Sequence, residues 1–320
     1  MICREINEVA TASFLKEHDN FVLLCHASPD GDTLGSAHGL LAALRQLGKK
    51  AKLLCPDEIP QKFDIIKCDR DGDFEPQTVV AVDVADQKLL GCLQQEFEGK
   101  VDLCIDHHST NTRYADLLYC ESDSAAACEC VYKVVKTLGV EITPYIASCL
   151  YLGMSTDTGC FKFSNTTPRT LRFAAELMEK EAAFVEINRV MFETKSKERI
   201  AMERLVLENM EFYFDGRCAV LTVTEDMINS TGCDRADLDG ITAISRQIEG
   251  VVIGITIKEQ TDGSFKVSLR THEPYNAAEI CANFGGGGHV RAAGCRFDCS
   301  SAEAKNLLLS KISEVLTNGK

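Results

Sequence analysis

The chain has 320 residues, 45% hydrophobic and 26% charged, which is the make-up of a folded globular protein with more than one core and excludes a disordered chain. With 34 basic against 48 acidic residues the net charge is −14, a surface that repels duplex DNA, whose binding rests on many Lys and Arg contacts to phosphate. A small anion held by metal ions or by a local basic pocket stays open, because charges beyond ~8 Å are screened at physiological salt.

From the N-terminus, Arg4, Glu5 and Glu8 stand where a signal peptide would be apolar, and no run approaches the ~20 apolar residues of a membrane span, so no membrane partner and a cytoplasmic location are expected. Phe21 to Cys25 has strand length. Leu34 to Leu47 then places Leu34, Ala37, Leu41 and Leu44 on one helical face, closed by Gly48. Ala51 to Cys55, Thr78 to Val84 and Val101 to Ile105 are further short apolar runs, as expected of parallel strands buried between helical layers. A helix from about Ala125 to Leu138 can be capped by Asp123 or Ser124, and Thr167-Pro168 opens another that carries Leu171, Ala174, Ala175 and Met178 toward a core. The charged run 186–211 is expected to be a helical connector. Beyond it, Val251, Ile253, Ile255 and Ile257 alternate, as do Phe265, Val267 and Leu269, with Asp262-Gly263 between them in the composition of a type I′ hairpin turn.

The fold class expected is therefore α/β: a mostly parallel sheet flanked by helices over 1–185, the helical linker 186–211, and a smaller mixed α/β domain over 212–320. The sixteen cysteines include no C-x-x-C pair. Cys25, Cys104 and Cys149 sit among apolar neighbours and are expected to be buried thiols, with no disulfide framework.

The chemistry-bearing residues cluster at the ends of apolar runs. His26, Asp30 and Asp32 follow the Phe21 run, Asp83 and Asp86 end the Thr78 run, and Asp106, His107 and His108 end the Val101 run. Asp157 follows the apolar stretch Ile146 to Met154, taken as a fourth strand. Asp30 before a helix is also ordinary capping chemistry. Four such coincidences, however, gather acids whose burial without cations would be strongly unfavourable.

The segments HASPDGD, VAVDVAD, IDHHSTN and STDTGCF resemble the four motifs of the DHH phosphoesterase family. KVSLR and the later GGGGHVRAAG are similar to its DHHA1 domain, and the compact length resembles the bacterial nanoRNase and pAp phosphatase subgroup. That resemblance implies two divalent ions. His26, Asp30 and Asp83 would hold the first, and Asp32, Asp83, His107 and Asp157 the second, with Asp83 bridging. Imidazole and carboxylate donors without thiolate suit Mn²⁺, with Mg²⁺ or Co²⁺ as lesser options. His108 would touch the phosphate or support the metal shell, with a supporting hydrogen bond as its bland alternative. Asp106 would orient an imidazole, and Asn111 either completes the motif or fixes a turn.

In the second domain Lys266, Ser268 and Arg270 share the polar face of a strand, where Arg270 can grip a phosphate. The run Gly285 to Gly288 can bring backbone N–H groups to an anion, and His289 can add a donor, so Ser268, Arg270, Gly286, Gly287, Gly288 and His289 form the expected substrate set. Arg291 is left out of it, and His38 is taken as a packed or surface histidine. The resemblance implies hydrolysis of very short single-stranded RNA to 5′-mononucleotides, with pAp and linear dinucleotides as further substrates; a homodimer is compatible with it. A single-strand DNA exonuclease of the same family and a non-enzymatic nucleotide-binding regulator are the alternatives.

Overall fold

The computed structural model of the protein describes residues 3–235, 238 and 240–318. The chain divides into two compact units, Met1–Thr194 and Lys195–Lys320. The first contains β1 (Arg4–Glu5), α1 (Glu8–Glu17), β2 (Phe21–Leu24), α2 (Gly31–Gln46), β3 (Ala51–Leu54), β4 (Thr78–Val82), α3 (Gln94–Phe97), β5 (Leu103–Asp106), β6 (Leu117–Cys120), α4 (Ala127–Leu138), α5 (Pro144–Asp157), α6 (Pro168–Glu179) and α7 (Phe184–Asn188). Its strands form one sheet in the order β1-β6-β5-β4-β2-β3, and every pair is parallel.

The apolar runs lack alternation because both faces of this sheet are covered. Phe21 and Leu23 point into one core with α2, α4 and α5, while Val22 and Leu24 point into a second with Leu90 and Phe97. Each fully buried Leu or Phe contributes roughly 1.5–3 kcal/mol. After β2 the chain moves outward to β3, then returns to place β4 on the other side of β2. The carboxyl ends of β2 and β4 therefore flank the crevice where strand order reverses, which is where open α/β sheets bind ligands.

Several local expectations are corrected. Ile146 to Met154 is not a strand but the middle of α5, which Thr143 caps by accepting from the Ile146 N–H, with Pro144 at its first turn. The Thr-Pro signature that marks α6 at Thr167-Pro168 also stood at Thr143-Pro144, and a largely apolar stretch interrupted only by Ser148 suits a buried helix as well as a strand. On α6, Ala174 and Leu177 are buried, but Leu171, Ala175 and Met178 are exposed. Neither Asp123 nor Ser124 caps α4: its N-cap is Ala126 without a side-chain bond, and the helix satisfies its first N–H groups elsewhere, as described below. Gly48, at φ +75°, follows α2 as expected.

The second unit holds α8 (Lys197–Glu208), β7 (Glu211–Tyr213), β8 (Cys218–Val223), α9 (Glu225–Thr231), α10 (Ile241–Ile244), β9 (Ile253–Glu259), β10 (Phe265–Thr271), α11 (Ala277–Ala282), β11 (Gly287–His289), β12 (Ala292–Phe297) and α12 (Ser301–Asn318). Its sheet runs β11-β12-β10-β9-β8-β7; β8 and β9 are parallel and the remaining pairs antiparallel. Ile253, Ile255 and Ile257 of β9 and Phe265, Val267 and Leu269 of β10 face one core with α11 and α12. On the opposite face, Leu221 and Val223 of β8 pack against Met202 and Val206 of α8 and Ile241 of α10. The β9–β10 turn is not type I′. Gly263 is left-handed at φ +81° but Asp262 is not, and Gly263 N–H bonds Gln260 C=O while Gln260 N–H bonds Ser264 C=O, the longer hairpin loop that needs left-handed geometry at one position. Among the described residues, no helix is long and apolar enough to cross a membrane. The thiols of Cys25, Cys104 and Cys149 are buried, and all sixteen cysteines are free.

Candidate metal centre

Five segments of the first unit converge at the switch point. His26 lies just beyond β2, Asp30 and Asp32 at the start of α2, Asp83 just after β4, Asp106 to His108 at the end of β5, and Asp157 at the last turn of α5. Asp83 is held in the left-handed region at φ +60°, a strained conformation for a non-glycine residue. Its N–H donates to Ile105 C=O at 2.9 Å, so the neighbouring strand fixes the strain and turns the carboxylate into the crevice.

The carboxylate of Asp83 faces two ways. Its Oδ2 is 3.6 Å from His26 Nε2, and its Oδ1 is 3.6 Å from His107 Nε2 and 3.6 Å from His108 Nδ1. On the first side His26 Nε2 is 3.7 Å from Asp30 Oδ1. On the second, His107 Nε2 is 3.4 Å from Asp157 Oδ2 and 3.7 Å from Asp32 Oδ2. Within each of the three sets His26–Asp30–Asp83, Asp32–His107–Asp157 and Asp83–His107–His108, the donor atoms lie within 4.8 Å of one another. These separations exceed hydrogen-bond lengths and leave room for an atom between the donors.

Each imidazole is oriented from behind. The Nδ1 of His26 meets Ala27 C=O at 2.8 Å and that of His107 meets Ser124 C=O at 3.2 Å, which turns both Nε2 atoms toward the acids. His108 Nδ1 bonds Asp106 Oδ1 at 2.8 Å, and Asn111 donates to Asp106 Oδ2 at 2.6 Å. Asp106 is thus a positioning group, and Asn111 does more than fix a turn. Asp32 is fully buried and accepts from Ala127 N–H at 2.6 Å and Cys128 N–H at 2.9 Å; the amino end of α4 is capped by a carboxylate from another helix. Gly35 and Gly153 make this possible, since a Cβ on the first would sit 2.3 Å from Cys149 C=O and one on the second 2.6 Å from Asp32 Oδ1. Asp30 caps α2 through bonds from the Asp32 and Thr33 N–H groups while still facing His26, so its capping and site roles coexist.

The electrostatics require compensation. Burial, reinforced by the neighbouring Asp32 carboxylate, pushes Asp83 well above the usual carboxylate range. Burial, with Asp32 and Asp83 nearby, raises Asp157 to about 10; burial also raises Asp32. Burial opposes a charge on His26, yet the Asp30 and Asp83 carboxylates overcome it and lift the imidazole to about 11. The hydrogen bond that His108 donates to the Asp106 carboxylate raises the imidazole to about 9. Asp83 Oδ1 and His107 Nε2 are buried with no hydrogen-bond partner among the described residues. Orphaned donor atoms facing one another, in a pocket of mutually repelling acids, fit divalent cations. His38 stays apart: it is buried, bonds Leu34 C=O through Nδ1 at 2.8 Å, and burial lowers it to about 4. Asp86 caps the turn at Gln87 by accepting from Lys88 N–H.

In the second unit, strand register aligns the other expected residues. Arg270 pairs with Ala292, which pairs with His289 across the next strand, and Ser268 pairs with Gly294, which pairs with Gly287. Directly opposed residues share a face, so Ser268 and Arg270 form one side of a trough, His289 the other, and Gly294, Ala292 and Gly287 its floor. Strands ~4.8 Å apart put about 10 Å between the two sides. The glycine run is not a simple nest. Gly285 and Gly286 already donate their N–H groups to Ala282 and Cys281 carbonyls. A Cβ at Gly286 would stand 2.2 Å from Gly294 C=O and one at Gly288 2.6 Å from Ala292 C=O, whereas one at Gly287 meets nothing within 4 Å. Gly286 and Gly288 therefore allow β11 to approach β12, and Gly287 leaves open space. Arg291 bonds Tyr275 C=O and Glu273, consistent with leaving it out. Arg246, absent from the sequence-based set, comes near enough to Arg270 that its charge, after burial, helps lower the Arg270 guanidinium. No local motif announces it; only folding brings it to β10.

These features are those of a recognisable class. The chain belongs to the DHH family: the DHH family N-terminal domain matches residues 20–154, and the DHHA1 domain matches residues 215–318. It is similar to the bifunctional oligoribonuclease and PAP phosphatase NrnA of Thermus thermophilus, 34% identical over 91% of this chain and 89% of that protein, and to the Bacillus subtilis protein of that name, 25% identical over 87% and 89%. Among solved structures, an exopolyphosphatase-related protein from Bacteroides fragilis superposes with a TM-score of 0.86 at 24% identity, covering 96% of each chain. RecJ from Thermus thermophilus, solved in complex with Mn²⁺, gives 0.56 at 15% identity over 98% of this chain and 54% of its own. Both structural likenesses concern the fold.

Proposed function

We propose that the protein is a two-metal phosphoesterase that hydrolyses very short RNA to 5′-mononucleotides and removes the 3′-phosphate of pAp. The observation that carries this is the Asp83 carboxylate, buried and strained, with one oxygen facing the His26–Asp30 pair and the other facing His107. In this reading His26, Asp30 and Asp83 would hold one divalent ion, and Asp32, Asp83, His107 and Asp157 would hold the other. Imidazole and carboxylate donors favour Mn²⁺ over softer-ligand metals, with Mg²⁺ and Co²⁺ as substitutes. Such a pair, when bound, lowers the pKa of water into the neutral range and offsets charge that develops on the phosphoryl group.

The chain's own residues do the remaining work. Asp106 fixes the His108 ring and keeps a proton on it, so that Nε2 can donate to a phosphoryl oxygen. Arg270, with Ser268, His289 and the open space at Gly287, binds a further phosphate of the substrate, and Arg246 strengthens the positive field there. The names of the NrnA relatives, matched along nearly their whole length, support this choice of substrates. The test is a product-resolved assay of purified protein with Mn²⁺ on RNA dimers, pentamers, pAp and long single strands. Release of mononucleotides from the short chains and AMP from pAp is expected, and failure on all of them rejects the proposal.

A further inference from the structure

The second unit contains a cavity of about 90 Å³ lined by Thr242, Thr256, Lys258, Lys266 and Ser268 against an apolar wall that includes Val223 and Ile241. It begins where the trough just described ends. Lys266 and Ser268 follow one another on the same face of β10, and strand register sets Lys266 opposite Lys258 and Ser268 opposite Thr256. On the far side of β9, Thr256 and Lys258 pair with Leu221 and Val223, which α8 and α10 cover. The cavity thus lies at the border between the covered and the open parts of this sheet face.

One of its polar groups lacks a partner. Thr256 is 3% exposed, and its Oγ1 has no hydrogen bond among the described residues, an exception that a native interior normally avoids. A hydroxyl there can donate to an oxyanion. Lys266 adds positive charge from the exposed side, and the volume suits a phosphate group. Successive residues on one strand face are ~6.7 Å apart, a step comparable to that between neighbouring phosphates of an extended single strand. The row Arg270, Ser268, Lys266 is therefore a ladder with phosphate-sized rungs.

We infer that this cavity is a second phosphate subsite, which takes the next phosphate of an oligoribonucleotide of three or more units through Thr256 and Lys266. The inference rests on the proposed function for its substrate class. A substrate with fewer phosphates leaves it empty, so it discriminates by chain length.

Binding without turnover separates the two ideas. The full chain, kept metal-free with EDTA, is titrated calorimetrically with 5′-phosphorylated RNA dinucleotide and trinucleotide. The wild-type protein is expected to bind the trinucleotide more tightly. Lys266→Ala and Thr256→Val should each weaken trinucleotide binding by roughly three- to tenfold, the range of one ordinary solvent-exchanged hydrogen bond, while dinucleotide binding moves less than twofold. Lys266 is exposed, so its replacement leaves folding intact. Equal affinity for the two lengths, or variants that weaken both equally or neither, overturns the subsite. If the length dependence holds but wild-type protein with Mn²⁺ hydrolyses none of these RNAs, the subsite survives and the phosphoesterase reading falls.

Discussion

In the proposed function the two units would bind charge by opposite means. In the first, acids are gathered on loops at a sheet's switch point, buried, and held from behind by Asp106, Ser124 C=O and the amino end of α4. In the second, positive and hydroxyl side chains stand on the face of a regular sheet, and strand register alone spaces them. A cation site must concentrate like charges and therefore needs many supporting bonds, whereas an anion site can be laid out on a strand with little strain. The first should accordingly be intolerant of change and the second graded.

The largest effect is expected at Asp83. Asp83→Ala removes the carboxylate that faces both donor sets, and should cut kcat by roughly a hundred- to a thousandfold, as loss of a group that stabilises transition-state charge does; Mn²⁺ stoichiometry should fall with it. Retention of two ions per chain would show that Asp83 is not shared. Asp32→Ala should lose activity and also stability, because the N–H groups of Ala127 and Cys128 lose their acceptor; a cost of roughly 1–3 kcal/mol is expected by urea unfolding of the metal-free protein.

Metal removal gives an intermediate effect with a defined sign. The folded-state pKa of Asp157 is about 10, raised by burial and by Asp32 and Asp83, and Asp83 is raised too. The folded metal-free protein therefore binds more protons than the unfolded chain, so its stability is full below about pH 4 for these groups and declines as pH climbs toward 10. Chelated protein should lose roughly 5 °C or more of melting temperature between pH 5 and 8, the size of a few kcal/mol in a unit this large, and Mn²⁺ should abolish most of that slope. A slope that is the same with and without metal would separate these acids from metal binding.

The smallest effects belong to the second unit. Arg270→Ala should raise KM for pAp by roughly tenfold, the loss of one charged hydrogen-bonding group, with metal content and kcat nearly unchanged. A fall in Mn²⁺ content instead would make Arg270 a structural residue of the whole chain.

Much of this was legible in the chain itself. The parallel strands were readable because burial on both faces produces unbroken apolar runs, and the residues just beyond those runs had to lie at one edge of the sheet. The strand β6 and the two-residue β1 were not anticipated. Ile146 to Met154 was misread because a fully buried helix and a fully buried strand share the same composition; Asp157 nonetheless reaches the cluster, since the end of a helix can deliver a side chain as a strand end does.

What the sequence determined by itself was the chemical inventory: the acids, the imidazoles, the Arg270 strand and the glycine run, together with the α/β order that places them at element ends. Only the tertiary structure decided that Asp83 turns its two oxygens in opposite directions, that Asp32 caps a helix 95 residues away, and that Arg246 and Thr256 come near the Ser268–Arg270 face. These depend on strand register and helix packing, which are set by the sum of contacts over the whole fold, and no local pattern of residues encodes such a sum.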